Sequence, residues 1–309
     1  MSRGVVLHGT GGVWVVRVDD GEEREVSLRG RIKQEGSLKI AVGDDVEIER
    51  DARGDSWAIS NILSRRSQLA RRAPGEGRGE RIVAANLDQV VVVFAMVSPV
   101  PHLRMLDRFL VIAEANGIAP LIVVNKIDLA SEPVARELFA DYLRVGYAMH
   151  FASTVSGVGL AGLHEALQGR MSALTGPSGV GKSSLINAMY PGLHLRVGAI
   201  SASVNKGRHT TVGARAFPLP DGGYVVDTPG LREIGFWGLA PESLIDCFPE
   251  FRDTSGDCRF ADCSHTVEPT CAVRALVEAG AASSARYESF LKLLEEVRVT
   301  DRLNTNGGG

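Results

Sequence analysis

The sequence predicts three domains in series: an OB-like β-barrel over residues 1–68, a central α/β domain with a mostly parallel sheet over 69–235, and a helical zinc-binding domain over 236–309. Three observations predict it. Short strand patterns separated by turn residues crowd the first 68 positions. From Ile82 onward apolar strands alternate with helical patterns, which implies a parallel sheet with ligand loops at the strand carboxyl ends. Past residue 236 the pattern turns helical around three cysteines and one histidine. A chain of 309 residues also exceeds the size of one typical domain.

The barrel strands are expected at 5–7, 13–18, 25–28, 46–48 and 56–59, with turns at 9–12, 19–21, 43–45 and 53–55. Five short strands in so little chain suit a small closed barrel. Arg29, Arg31, Lys33 and Lys39 form either a basic face for nucleic acid or a solvated surface. Arg65, Arg66, Arg71, Arg72, Arg78 and Arg81 follow, offset only by Glu76 and Glu80 around a Pro/Gly-rich turn. Residues 65–81 therefore read as a basic linker, and its arginines favour phosphate contact over plain solvation.

In the central domain 89–97 is a strand of the buried kind, apolar at every position after Gln89. Leu103, Leu106, Leu110 and Ala113 give the next segment one apolar helical face. A strand at 121–124, a helix at 133–143, a strand at 148–152 and a glycine-diluted helix at 157–167 come next. A strand at 171–175, a helix at 182–189 and a strand at 224–226 complete the pattern. Three motifs sit at strand ends. Gly176, Pro177, Ser178, Gly179, Val180, Gly181, Lys182 and Ser183, followed by Ser184, form a phosphate-binding loop between strand and helix. Its N–H groups curl around phosphate oxygens, Lys182 reaches the β- and γ-phosphates, and Ser183 holds Mg²⁺. Asp227, Thr228, Pro229 and Gly230 end the strand at 224–226, and Asp227 is the usual second Mg²⁺ anchor, through water. Asn125, Lys126, Ile127 and Asp128 end the strand at 121–124; the Asp128 carboxylate pairs with the two donors of guanine that adenine lacks. Ser153, with Thr154, falls where a backbone N–H meets guanine O6 in GTPases. Together the motifs indicate GTP or GDP with Mg²⁺ as ligand.

Their order is circularly permuted: the base-reading turn precedes the phosphate loop, and the Asp227 loop comes last. Neighbouring termini make such a rearrangement tolerable. Apolar periodicity fades over 191–213, the position of a first switch, where Thr211 or Thr210 supplies a second Mg²⁺-binding hydroxyl, Thr211 being favoured. His209 lies beside them. Leu231 follows Gly230 where Ras-like enzymes carry a water-orienting glutamine, so His209 is the candidate water-positioning residue, with Arg208 as the fallback.

In the last domain short helices are expected at 239–248 and 272–276 and a longer one at 285–297, with a disordered tail from Asn304. Cys258, Cys263, His265 and Cys271 have the composition of a closed structural zinc site, although their spacing lacks paired C-x-x-C knuckles; the alternative is buried reduced thiols. Cys247 is left over as a buried thiol.

Taken together, these stretches resemble the RsgA (YjeQ) family of circularly permuted, ribosome-associated GTPases. The resemblance rests on the barrel, Asn125–Asp128, the phosphate loop, the run from Gly207 to Thr211, Asp227 to Gly230 and the Cys/His cluster. It implies an OB-fold, a permuted GTPase domain and one structural Zn²⁺. It also implies late maturation of the small (30S) ribosomal subunit, contact with 16S rRNA, and GTP hydrolysis stimulated by the particle. Two other classes compete: a phosphate-loop enzyme on a small molecule, which lacks an evident acceptor site, and an RNA-binding module with a dead nucleotide site, which Lys182, Ser183 and Asp128 oppose. The net charge of −3 gives no global signal for nucleic acid. No apolar run reaches membrane-span length, and four cysteines in such a chain argue against a disulfide framework, so a cytoplasmic monomer without membrane partners is expected.

Overall fold

The computed structural model describes residues 2–29, 40–50, 56–72, 80–193, 214–228, 236 and 238–306. Strands β1 (Ser2–Thr10), β2 (Val13–Val18), β3 (Glu23–Leu28), β4 (Asp45–Arg50) and β5 (Trp57–Ile62) close into a barrel in the order β1-β2-β3-β5-β4. Its pairs are antiparallel except β3 with β5, as the OB-fold requires. Alternation explains the interior. Val46 and Ile48 point inward to meet Val6, Val16, Val26 and Ile59, while Glu47 and Glu49 face out. Arg29, one of the four residues that suit either a nucleic-acid face or a solvated surface, pairs with Glu49 at 2.9 Å; Arg31, Lys33 and Lys39 lie outside the described residues.

The stretch expected as a linker is instead an antiparallel pair, β6 (Gln68–Arg72) with β7 (Glu80–Ala85). Its first arginines are structural. Arg65 grips Asp44 of the barrel through two contacts of 2.6 and 2.8 Å, both side chains buried, and Arg66 pairs with Asp88 at 3.0 Å. Arg78 lies outside the described residues.

The central sheet has the order β10-β9-β8-β11-β13-β12. Its strands are β8 (Gln89–Ala95), β9 (Ala119–Asn125), β10 (Ala148–Phe151), β11 (Met171–Thr175), β12 (Arg215–Pro218) and β13 (Tyr224–Asp227). All neighbours are parallel except β12 with β13, so β8–β11 and β13 end at one edge. β8 is buried along its whole length, the reason it is apolar at every position but its first.

Helices α1 (Leu103–Ala115), α2 (Glu132–Leu138) and α3 (Ala140–Val145) cover one face, and α4 (Leu160–Leu167) and α5 (Lys182–Met189) the other. The helix expected over 133–143 breaks at Phe139, whose ring is fully buried and whose backbone (φ −103°, ψ 17°) leaves the helical region.

The C-terminal part begins with two 3₁₀ turns, Pro241–Ser243 and Ile245–Cys247. It continues as α6 (Pro249–Ser255), α7 (Ala272–Glu278) and α8 (Ser284–Asn306). The last helix runs through the segment expected to be a loose tail, as far as Asn306. Its Phe290, Leu293, Leu294 and Val297 join the core beneath α1. At the junction Arg286 bonds Asp107 of α1 at 2.6 Å and clasps Glu250 of α6 at 2.6 and 3.0 Å, and the Tyr142 hydroxyl donates to Asp107 at 2.8 Å. Arg108 with Glu296 and Arg252 with Glu114 add pairs at the rim. Among the described residues no helix is long and apolar enough to cross a membrane.

Candidate nucleotide site and metal centre

The three motifs meet at the carboxyl edge of the parallel strands. The phosphate loop leaves β11 and enters α5, whose first N–H groups face the loop and favour an anion. Two glycines there are dictated by space as well as by backbone. A Cβ at Gly176 (φ +129°) would stand 2.0 Å from Val93 O, and one at Gly181 (φ +95°) would stand 2.4 Å from Asn125 Nδ2. Lys182 is buried, and its ammonium donates to Gly176 O and Pro177 O, both at 2.9 Å, so it spans the loop from within. Ser183 is buried at the first turn of α5 and Ser184 is half-buried behind it.

The base-reading turn is bonded directly to this loop. Asn125 donates to Val180 O at 2.8 Å, and its buried Oδ1 has no partner among the described residues. Lys126 adopts a left-handed backbone (φ +61°), and its ammonium bonds Gly179 O at 2.7 Å and Ser98 O. Ile127 is buried and anchors the turn, leaving Asp128 at its crest. The Ser153 hydroxyl donates to Asp128 Oδ1 at 2.5 Å while accepting the N–H groups of Val155 and Ser156. Those acceptances commit its proton to Asp128 and hold the carboxylate in one orientation. The Ser153 N–H itself donates to Val158 O at 3.0 Å. In that turn the Thr154 N–H is left without a protein acceptor among the described residues, a donor for a carbonyl oxygen.

Asp227 ends β13 on the face that carries α5. Burial pushes its carboxyl up to about 6, and Lys182 opposes the rise. Its Oδ1 and the Thr228 hydroxyl are buried without partners among the described residues, which is how an anchor for a hydrated cation looks before the cation is added. Thr228 is a residue that motif reasoning passes over. His209, Thr210, Thr211, Arg208 and Gly230 lie outside the described residues.

The second site lies between α6 and α7. The ligand atoms of Cys258, Cys263, His265 and Cys271 all fall within 4.8 Å of one another. Tetrahedral zinc puts two sulfurs about 3.8 Å apart and a sulfur and a nitrogen about 3.6 Å apart. Here Cys258 and Cys271 sulfurs are 3.9 Å apart, and His265 Nδ1 lies 3.5 and 3.6 Å from them. The set therefore fits a zinc ion with His265 bound through Nδ1. Supporting bonds are built in. Ala272 N–H and Arg274 N–H donate to the sulfurs of Cys258 and Cys271, and Tyr287 donates to His265 O at 2.7 Å. Glu268 gathers the Ser264 hydroxyl and the N–H groups of Ser264, Thr266 and Val267, bonds that hold its carboxyl down at about 2. Cys247 is a separate buried thiol, pushed up to about 12 by burial.

A parallel sheet with a phosphate loop, an N-K-x-D turn bonded to it and a buried aspartate beside it defines a GTPase of the phosphate-loop class. The model of the RsgA GTPase family matches residues 62–237. A small ribosomal subunit biogenesis GTPase RsgA of Gemmatimonas aurantiaca is 59% identical over 299 residues, 96% of this chain and 97% of that one. A protein of the same name from Bacteroides fragilis is 38% identical, covering 95% and 96%. The crystal structure of YjeQ from Thermotoga maritima superposes with a TM-score of 0.78 at 37% identity, covering 96% and 98%. That of YloQ, described as a circularly permuted GTPase, gives 0.73 at 29%, covering 96% and 95%. The chain belongs to the RsgA GTPase family.

Proposed function

We propose that this GTPase hydrolyses GTP to GDP and phosphate on the small (30S) ribosomal subunit during its late maturation, in contact with 16S rRNA. The observation that carries the reading is the direct bonding of the base-reading turn to the phosphate loop, Asn125 to Val180 and Lys126 to Gly179, in a chain similar over nearly its whole length to proteins named for that role. Asp128, held by Ser153, selects guanine; Asn125, Lys126 and Ile127 frame the base. Gly176 to Ser184 enclose the phosphates, and Lys182 turns its ammonium from the loop carbonyls to the phosphate oxygens. Ser183 and Asp227, with Thr211 or Thr210, hold Mg²⁺, which when bound offsets charge on the phosphates. His209 orients the attacking water. One zinc ion in the Cys258, Cys263, His265 and Cys271 site is structural, since four protein ligands leave no open position for water. The units 1–68, 69–235 and 236–309 act as barrel, motor and zinc module of a cytoplasmic monomer without membrane partners.

The test is GTP turnover with and without purified small subunits, in wild type and His209→Ala. Strong stimulation of the wild type, lost in His209→Ala with GTP affinity and subunit binding retained, is expected. Turnover indifferent to subunits would refute the reading. Stimulation that survives in His209→Ala would remove only that residue's role.

A further inference from the structure

β12 carries an arginine that the nucleotide motifs do not use. In the β12–β13 pair Arg215 stands directly opposite Asp227, and Phe217 opposite Val225. Directly opposed residues of an antiparallel pair project from the same face of the sheet. Val225 packs in the same core as Val180, Leu185 and Ile186, with Phe217 against it. The face shared by Arg215 and Asp227 is therefore the one on which the phosphate loop and α5 sit. Because β12 runs antiparallel, Arg215 begins its strand where Asp227 ends β13, at the nucleotide edge.

The guanidinium is uncommitted. Arg215 is exposed, its guanidinium rests 5.1 Å from the Phe217 ring centroid, and no carboxylate pairs with it among the described residues. Arg17, Arg24 and Arg29 of the barrel, by contrast, each pair with a carboxylate. Arg215 acts on His8 of β1: burial first, then Arg215, lowers the imidazole's affinity for a proton, while Glu23 and Glu25 act the other way. A cation kept beside another basic group, and parked on an aromatic face, is suited to an anion that arrives later.

We propose that Arg215 leaves Phe217 and contacts the terminal phosphate of bound GTP. The proposal rests on the nucleotide-site reading above. The order β11-β13-β12 supplies the geometry. Asp227 stands one strand from the phosphate loop and Arg215 two, about 10 Å across the sheet, beyond the Asp227 carboxylate and on its side of the loop. Arg215 thus discriminates GTP from GDP and stabilises charge on the transferred phosphoryl group, in the way an arginine supplied in cis can.

The experiment measures affinity for GDP and for a non-hydrolysable GTP analogue in the full-length protein, for wild type, Arg215→Ala and Arg215→Lys. Thermal midpoints with and without GDP are recorded alongside. Arg215→Ala is expected to keep GDP affinity within about twofold and to lose about tenfold or more for the analogue, with Arg215→Lys recovering part of the loss. Equal losses for both nucleotides, or no loss for either, would overturn the assignment. A wild type that binds neither nucleotide would overturn the underlying site as well, so the two failures are distinguishable.

Discussion

Replacing Arg286 by methionine keeps a flexible apolar stem in place and removes the charge. The side chains of Arg286, Asp107 and Glu250 are 2%, 3% and 9% exposed, and three short bonds join them. Without the guanidinium, Asp107 keeps only the Tyr142 hydroxyl among the described residues, and Glu250 is stranded beneath α8. Breaking a buried pair by removing one partner destabilises by about 3–5 kcal/mol. Unfolding entropy of about 2.1 cal/mol/K per residue, over 309 residues, is about 0.65 kcal/mol/K. The expected fall in thermal midpoint is then about 5–8 °C if the chain unfolds as one unit. Lys292→Met provides the internal control: its pair with Glu295 is exposed, 55% and 72%, and its loss should cost less than about 1 kcal/mol. Adding Asp107→Asn and Glu250→Gln to Arg286→Met should recover much of the loss, because neutral amides are cheaper to bury than carboxylates. Calorimetry or far-UV melting of the four proteins decides the matter. An Arg286→Met midpoint no lower than that of Lys292→Met would refute the view that this triad clamps the zinc-bearing part to α1.

Chelation of zinc, or Cys263→Ser, should loosen residues 258–271 and lower stability and subunit binding while leaving GDP affinity intact; elemental analysis should find one zinc per chain in the wild type. For Asp227 the sign follows from its elevated value of about 6. The folded, cation-free protein binds the proton more tightly than the unfolded chain does. Ionised Asp227 therefore detracts from apo stability as pH rises from about 4 through 6, and the bound cation offsets that penalty. Mg²⁺-dependent GTP affinity should accordingly rise about tenfold between pH 5 and 7, and Asp227→Asn should abolish that part of the slope. Titration of both proteins against a fluorescent GTP analogue checks it.

How much of this was legible in the sequence depends on how local each feature is. The phosphate loop, the 125–128 turn and the Cys/His cluster are short because their chemistry needs a particular backbone path, so residue types alone mark them. The barrel strands were legible through alternation, as at Val46 and Ile48. The β6–β7 pair was not: its arginines and the Pro/Gly-rich turn between them carry the composition of a linker, and its pairing depends on the fold around it. β12 is four residues long and ends in proline, too short for any period to show. The helix expected over 133–143 is interrupted because Phe139 turns into the core, a tertiary effect. The Arg286 triad joins positions 107, 250 and 286, and nothing local to any of them announces the other two. Ser153 was legible as a place near the base, but its bond to Asp128 required the structure.

Residues scattered from 125 to 227 in permuted order form one guanine-specific site. The most direct measurement is equilibrium binding of GTP, ATP and XTP to wild type and Asp128→Asn. Wild type is expected to bind GTP and not ATP, and Asp128→Asn to lose GTP and gain XTP, because xanthine carries a carbonyl where guanine carries its amino group. Unchanged GTP affinity in Asp128→Asn would contradict it.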